Sequence, residues 1–238
     1  MKKIDDLNIS KLSDKKDESY IASGVPEIDE LLGGGFARGR ITELSGKEGV
    51  GKTHLAIMLM ANMSDKQKVL YVDAEFALNK ARVASLGAKP THIAYIADSR
   101  LERICEALVA NVGKYDVIIL DSLASLTPLA VANAEIGERS IGLFSLLIKH
   151  WVLKFRPALA NSKTAFVALN QFRPAIGMYA IEQTPGGMSW AHSCDVRVKL
   201  STNSAAKLPD GSGHWVACTI KKNRLGATGG QTKFKLLY

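Results

Sequence analysis

Cysteine is scarce in this chain, and the little there is excludes two classes of protein. Cys105, Cys194 and Cys218 are odd in number and lack metal-ligand spacing, so neither a disulfide framework nor a thiolate zinc site is expected. Reduced, buried thiols and a cytosolic location are the expectation. Histidine is equally thin: His54, His92, His150, His192 and His214 form no zinc-spaced cluster with the cysteines. No apolar run approaches the roughly 20 residues that span a bilayer, and the opening Met1-Lys2-Lys3-Ile4-Asp5-Asp6 has no apolar signal-peptide core. Neither membrane insertion nor secretion is expected. Gly187-Met188-Ser189-Trp190-Ala191 lacks the last glycine of a nucleophile elbow, so no covalent catalysis is assigned. Internal repeats and low-complexity tracts are also absent.

What is present is ordinary globular material: 238 residues, 47% hydrophobic and 23% charged, enough for one large α/β domain. Thirty-one Lys and Arg against 23 Asp and Glu give a net charge of +8, which suits an anionic partner such as nucleic acid and also fits many basic proteins without one. Residues 1–22 read as a flexible leader whose sparse apolar series, Ile4, Leu7, Ile9 and Leu12, reads as noise, as the first turn of a helix, or as a peptide that docks on a neighbouring subunit. Residues 23–238 read as the core. Short apolar runs at Ile41 to Leu44, Val69 to Val72, Ile93 to Ile96, Val117 to Leu120 and Thr164 to Leu169 have the length and content of buried parallel strands. Helical patterns lie between them, the clearest being Leu101, Ile104, Cys105, Leu108 and Val112. Alternation of this kind predicts a mostly parallel sheet covered by helices on both faces. From Val196 onward, Val198, Leu200, Trp215 to Ile220 and Phe234 to Tyr238, separated by turns, predict closing antiparallel strands.

The chemistry is concentrated at strand ends. Gly46-Lys47-Glu48-Gly49-Val50-Gly51-Lys52-Thr53 matches the phosphate-binding P-loop, between the strand Ile41 to Leu44 and the helical run Leu55 to Met63. Its glycines let backbone amides turn toward phosphate oxygens, Lys52 reaches the β and γ phosphates of ATP, and Thr53 offers a magnesium ligand. Val117-Ile118-Ile119-Leu120-Asp121-Ser122 is an apolar strand ending in a carboxylate, the form of an element that orients Mg²⁺. Taken alone, Asp121 also reads as a helix cap. Val72-Asp73-Ala74-Glu75 places Glu75 at the sheet edge where α/β folds put ligands, as a water activator or as a surface residue at a helix start.

With these residues in view, the chain from about Ser23 onward resembles the RecA and RadA recombinases. The P-loop, Asp73-Ala74-Glu75-Phe76-Ala77-Leu78, Asp121-Ser122, Asn170-Gln171-Phe172-Arg173 and Lys222-Asn223-Arg224 stand in the order of that family, and the entry Ser23-Gly24-Val25-Pro26 through Gly33-Gly34-Gly35 resembles its lead-in and that of its KaiC-like relatives. The resemblance implies a RecA-like P-loop ATPase core, with Glu75, Lys52 and Gln171 as catalytic residues and Gln171 sensing the γ phosphate. It implies ATP contacts by Gly46 to Thr53, Asn79 and Arg82, and by Lys222 and Arg224 across a subunit interface, with Thr53 and Asp121 on magnesium. It also implies two DNA-binding segments, 133–142 and 171–187, in which Ile136 and Ile176 wedge between base triplets and Gly137, Arg139, Arg173, Gly177, Met178, Gly186 and Gly187 line the strand. The implied partners are single-stranded and homologous double-stranded DNA and further copies of the chain in a helical filament, with a single-strand-binding protein or a loader as helpers. The implied activity is DNA-dependent ATP hydrolysis driving homologous pairing and strand exchange. A paralogue or mediator without strand exchange, and a hexameric helicase or KaiC-like ring, are the alternatives. His54 stands where relatives carry a small polar residue, and Arg82 where an aromatic covers adenine. The short chain is expected to be a core-only form like those of phages and mobile elements, working in the cytoplasm, or the host cytoplasm if phage-encoded.

Overall fold

The computed structural model describes residues 11–14, 17–135, 142–172, 184–202 and 207–237. Its entry is a small antiparallel pair, β1 (Tyr20–Ile21) with β2 (Phe36–Ala37), bracketing helix α1 (Pro26–Leu32). Tyr20 and Ile21 belong to the segment expected as a leader, yet Ile21 is buried and Glu18 pairs with Arg40 at the foot of the next strand. Tyr20 and Ile21 thus pack with the core.

The remaining elements follow as β3 (Ile41–Gly46), α2 (Lys52–Asn62), β4 (Val69–Asp73), α3 (Lys80–Ser85), β5 (Ile93–Ala97), α4 (Leu101–Asn111), β6 (Val117–Asp121), α5 (Leu129–Ala132), α6 (Leu143–Ala160), β7 (Ala165–Gln171), α7 (Gly187–Ser193), β8 (Val196–Ser201), β9 (Gly213–Asn223) and β10 (Gln231–Leu237). All five apolar runs of the sequence are strands. They build an eight-stranded sheet in the order β10-β9-β8-β3-β7-β6-β4-β5. Every pairing from β8 to β5 is parallel, and β8-β9 and β9-β10 are antiparallel. The fold is thus the mostly parallel α/β core with antiparallel C-terminal strands expected from the sequence. One detail differs: β8, which reads as the first of the antiparallel strands, lies parallel to β3 and is the joint between the two halves.

Strand alternation divides the core cleanly in two, because successive side chains leave opposite faces of a pleated sheet. Val69, Tyr71, Val117, Ile119, Val167 and Leu169 pack under α2 with Leu55, Ile57, Leu59 and Met60. Leu70, Val72, Ile118, Leu120, Phe166 and Ala168 pack on the other face against Leu101, Ile104 and Leu108 of α4 and Ile148, Trp151, Val152 and Phe155 of α6. All five residues of β6 have 0–5% exposure, as expected for a strand covered on both sides. Trp151, Phe155, Phe166 and Trp190 form an aromatic cluster in this second layer, with Trp151 and Trp190 stacked at 5.9 Å. The three cysteines are buried and free. Among the described residues no helix is long and apolar enough to cross a membrane.

Candidate nucleotide site

Parallel strands that enter from one edge all end at the other, so the ends of β3, β4, β6 and β7 bring Gly46, Asp73, Asp121 and Gln171 along one rim. The P-loop leaves β3 at Gly46 and turns into α2 at Gly51, whose φ of +100° lies in the left-handed region open to glycine. A Cβ at Gly51 would stand 2.1 Å from Leu236 Cδ1 on β10, so a side chain there would also have to displace the tip of Leu236. Val50 is buried, while Lys47, Glu48 and Gly49 face outward. Lys52 is 7% exposed, and its Nζ donates to the carbonyls of Gly46 (3.1 Å) and Lys47 (2.9 Å). Burial lowers its pKa from the ordinary lysine value, an effect that Asp121, Glu75 and Glu48 oppose.

Thr53 Oγ1 donates to Asp121 Oδ2 at 2.7 Å, and Tyr71 Oη donates to the same oxygen at 2.6 Å. Burial raises the Asp121 pKa, and the two hydroxyl donors pull it back. Tyr71 is 0% exposed, and its phenol is pushed far up by the same burial and by Asp121. Two hard oxygen donors, Thr53 in the first turn of α2 and Asp121 at the end of β6, fit magnesium, which takes few protein ligands and completes its shell with phosphate and water. Thr53 and Asp121 would hold the ion, which would neutralise phosphate charge during transfer. No group of three or more His, Cys, Asp and Glu suited to a metal occurs among the described residues.

Glu75 follows β4 and is partly buried. Its Oε1 accepts from Gln171 Nε2 (2.9 Å), Ser122 Oγ (2.5 Å) and Ser125 Oγ (3.2 Å). The Asp121 carbonyl accepts from the amides of Ala74 (2.7 Å) and Glu75 (3.3 Å), which fixes the end of β4 against β6. Asp73 sets the turn that follows: it accepts from Ala77 N, Leu78 N and Tyr95 Oη, and Phe76 is held at φ +56°. The sequence singled out Lys52, Thr53, Glu75, Asp121 and Gln171, and the fold brings all five to one rim. Tyr71, Ser122 and Ser125 escaped that reading. Ser122 stands inside the Asp121-Ser122 motif without a role assigned to it, and a tyrosine inside an apolar strand carries no signal of its own.

The other candidates are spread around this centre. Asn79 Oδ1 accepts from Arg82 N at 3.1 Å and so caps α3, which leaves its side chain in a structural bond. Arg82 Nη2 lies 3.4 Å from His54 Nδ1. Lys222 Nζ donates to the carbonyls of Ala191 and His192, each at 2.8 Å, and Arg224 Nη2 donates to His192 O at 2.8 Å. Both cations therefore secure the C-terminal end of α7. Gly186 and Gly187 open that helix at φ +105° and +70°, and a Cβ on Gly186 would meet Trp190 Cβ at 2.8 Å. Ile136, Gly137, Arg139, Arg173, Ile176, Gly177 and Met178 lie outside the described residues.

Comparison with known proteins agrees with this geometry. The model of the RecA N-terminal domain matches residues 2–238. Among curated proteins, the chain is 31% identical over 237 residues to "Protein RecA" of Bifidobacterium longum (strain NCC 2705), a match that covers 96% of this chain and 60% of the relative. The chain thus spans less than two thirds of that relative's length. A family match over nearly the whole chain, joined to a P-loop, an Asp121-Thr53 pair and a Glu75-Gln171 pair on one rim, places this protein in the RecA family.

Proposed function

We propose that this protein is a DNA-dependent ATPase that assembles on single-stranded DNA and carries out homologous pairing and strand exchange. The observation that carries the reading is the 2.9 Å bond from Gln171 Nε2 to Glu75 Oε1. Glu75 is the group poised to activate the attacking water, and Gln171 is the last residue of β7 and the first of the segment expected to meet DNA. A single amide thus stands between hydrolysis and the DNA segment. Lys52 supplies positive charge to the β and γ phosphates, Thr53 and Asp121 the magnesium ligands, and the α2 amides the cradle. In the filament, Lys222 and Arg224 would face the neighbour's γ phosphate; they sit two positions apart at the end of β9 and reach the same helix end.

The test is ATP hydrolysis measured with and without single-stranded DNA in three proteins. The wild type is expected to be stimulated by DNA. Lys52→Ala is expected to lose nucleotide binding, because it removes the charge aimed at the phosphates. Glu75→Gln is expected to bind ATP normally and hydrolyse it about 10²–10⁴-fold more slowly, the range for a lost general base. Imaging of wild type with an ATP analogue and single-stranded DNA should show helical filaments. Closed rings, or a wild type that ignores DNA, would overturn the reading.

A further inference from the structure

The most unusual group in the core outside the nucleotide site is Glu43. It lies mid-way along β3, three residues before the P-loop begins, and is 0% exposed. Three elements donate to its carboxylate. Oε1 accepts from Asn170 Nδ2 of β7 at 2.8 Å and from Trp190 Nε1 of α7 at 2.7 Å, and Oε2 accepts from Arg197 Nε of β8 at 2.5 Å. Two of these donors, Asn170 and Arg197, also hold something else. Arg197 Nη2 donates to Thr184 Oγ1 at 3.0 Å, Asn170 Nδ2 donates to Pro185 O at 3.1 Å, and Asn170 Oδ1 accepts from Gln171 N at 3.0 Å.

These bonds join into one polar chain. It starts at Thr184 and Pro185, runs through Arg197 to Glu43, crosses to Asn170 and Gln171, and ends on Glu75. Stability alone does not account for it. Taking a carboxylate out of water costs free energy that an ion pair only partly restores, and apolar side chains of similar volume at positions 43, 170, 190 and 197 would pack at no such cost. What apolar packing would not provide is a directional link with fixed donor and acceptor geometry from the Thr184–Pro185 turn to the side chain that holds Glu75.

We infer that Glu43 is a positioning residue that couples DNA contact at the Thr184–Gly187 turn to the Gln171–Glu75 pair. The inference rests on the functional reading above and adds to it a route entering from the far end of the 171–187 segment, separate from Gln171's own place at its start. A pull on Thr184 or Pro185 shifts Arg197 and Asn170 together, because both grip the same carboxylate. Asn170 then moves the Gln171 amide that it holds.

Two substitutions test the coupling without emptying the core. Arg197→Lys keeps the charge beside Glu43 and loses the fork that reaches both Glu43 and Thr184. Glu43→Gln keeps volume and an acceptor for Trp190 and Asn170, and turns a donor toward Arg197. Hydrolysis is measured across a titration of single-stranded DNA, with DNA-free hydrolysis and the thermal midpoint measured beside it. The expected signature is a fall of roughly fivefold or more in the maximal stimulation by DNA. The DNA concentration for half-stimulation and the DNA-free rate should each stay within about twofold of wild type, a change smaller than the coupling itself. Full stimulation in folded Arg197→Lys overturns the inference. So does a parallel loss of DNA-free and stimulated rates, the mark of a purely structural role, and so does a weaker half-stimulation with the maximum intact. If Glu43→Gln does not fold, Arg197→Lys decides alone. A wild type without any stimulation removes the functional reading and this inference together, whereas a stimulated wild type beside an equally stimulated Arg197→Lys removes only the coupling.

Discussion

His54 follows Thr53 on α2 and is 4% exposed. Burial comes first among the causes that lower its pKa, followed by Arg82 and His214. The folded state therefore holds this histidine neutral while the unfolded chain protonates it near the ordinary value of about 6.5. Stability from this residue is fully present above that value and declines as pH falls toward the lower folded pKa, because the unfolded state then binds the extra proton. The thermal midpoint of the wild type should drop between about pH 7.5 and pH 5.5, and His54→Gln should flatten the profile by at most one proton's slope, about 1.4 kcal/mol per pH unit. Gly51 makes a steric prediction of the same reach. Gly51→Ala forces a side chain into φ +100° and against Leu236, at a cost of about 2–5 kcal/mol from backbone strain and overpacking. The thermal midpoint and ATP-analogue affinity should both fall. Adding Leu236→Ala should recover the overpacking part only.

Among the elements, α7 has only seven residues, and outside contacts at both ends define it. Gly186 crowds onto Trp190 at its start, and Lys222 and Arg224 bind its last carbonyls. Cations at a helix C-terminus interact favourably with both the free carbonyls and the helix dipole. Lys222→Met is expected to lose about 1–2 kcal/mol in urea denaturation, the range for a charge-assisted bond with partial exposure. This helix also shows where sequence reading stops. The sheet was legible because buried parallel strands are continuous apolar runs bounded by turns, and the P-loop because its spacing is long and specific. Lys52, Thr53, Glu75 and Asp121 followed, since each stands at or just beyond such a boundary, whereas Gln171 was marked only by the family resemblance. Glu43 was not legible. In Ile41-Thr42-Glu43-Leu44 it reads as a break in an apolar run, and its partners Asn170, Trp190 and Arg197 lie 127, 147 and 154 residues away. The β1-β2 pair was hidden for the opposite reason: two residues per strand leave no period to detect.

At the scale of the whole molecule, the proposed filament makes each site a shared one, and mixing variants exposes this. Protein with both Lys222→Ala and Arg224→Ala, combined with Glu75→Gln protein, should show hydrolysis that neither shows alone, because some interfaces then pair an intact Glu75 with an intact Lys222 and Arg224. Thermal midpoints belong beside that measurement, since the double variant also releases α7. The sheet order has a separate consequence. Leu236 on β10 closes behind Gly51, although β10 lies at the far edge of the sheet and belongs to the last stretch of the described chain. During synthesis the P-loop leaves the ribosome early and gains its backing only when the chain through Leu236 has emerged. A chain cut short before Leu236 is therefore expected to bind an ATP analogue more weakly than the chain that includes β10, as measured by fluorescence titration.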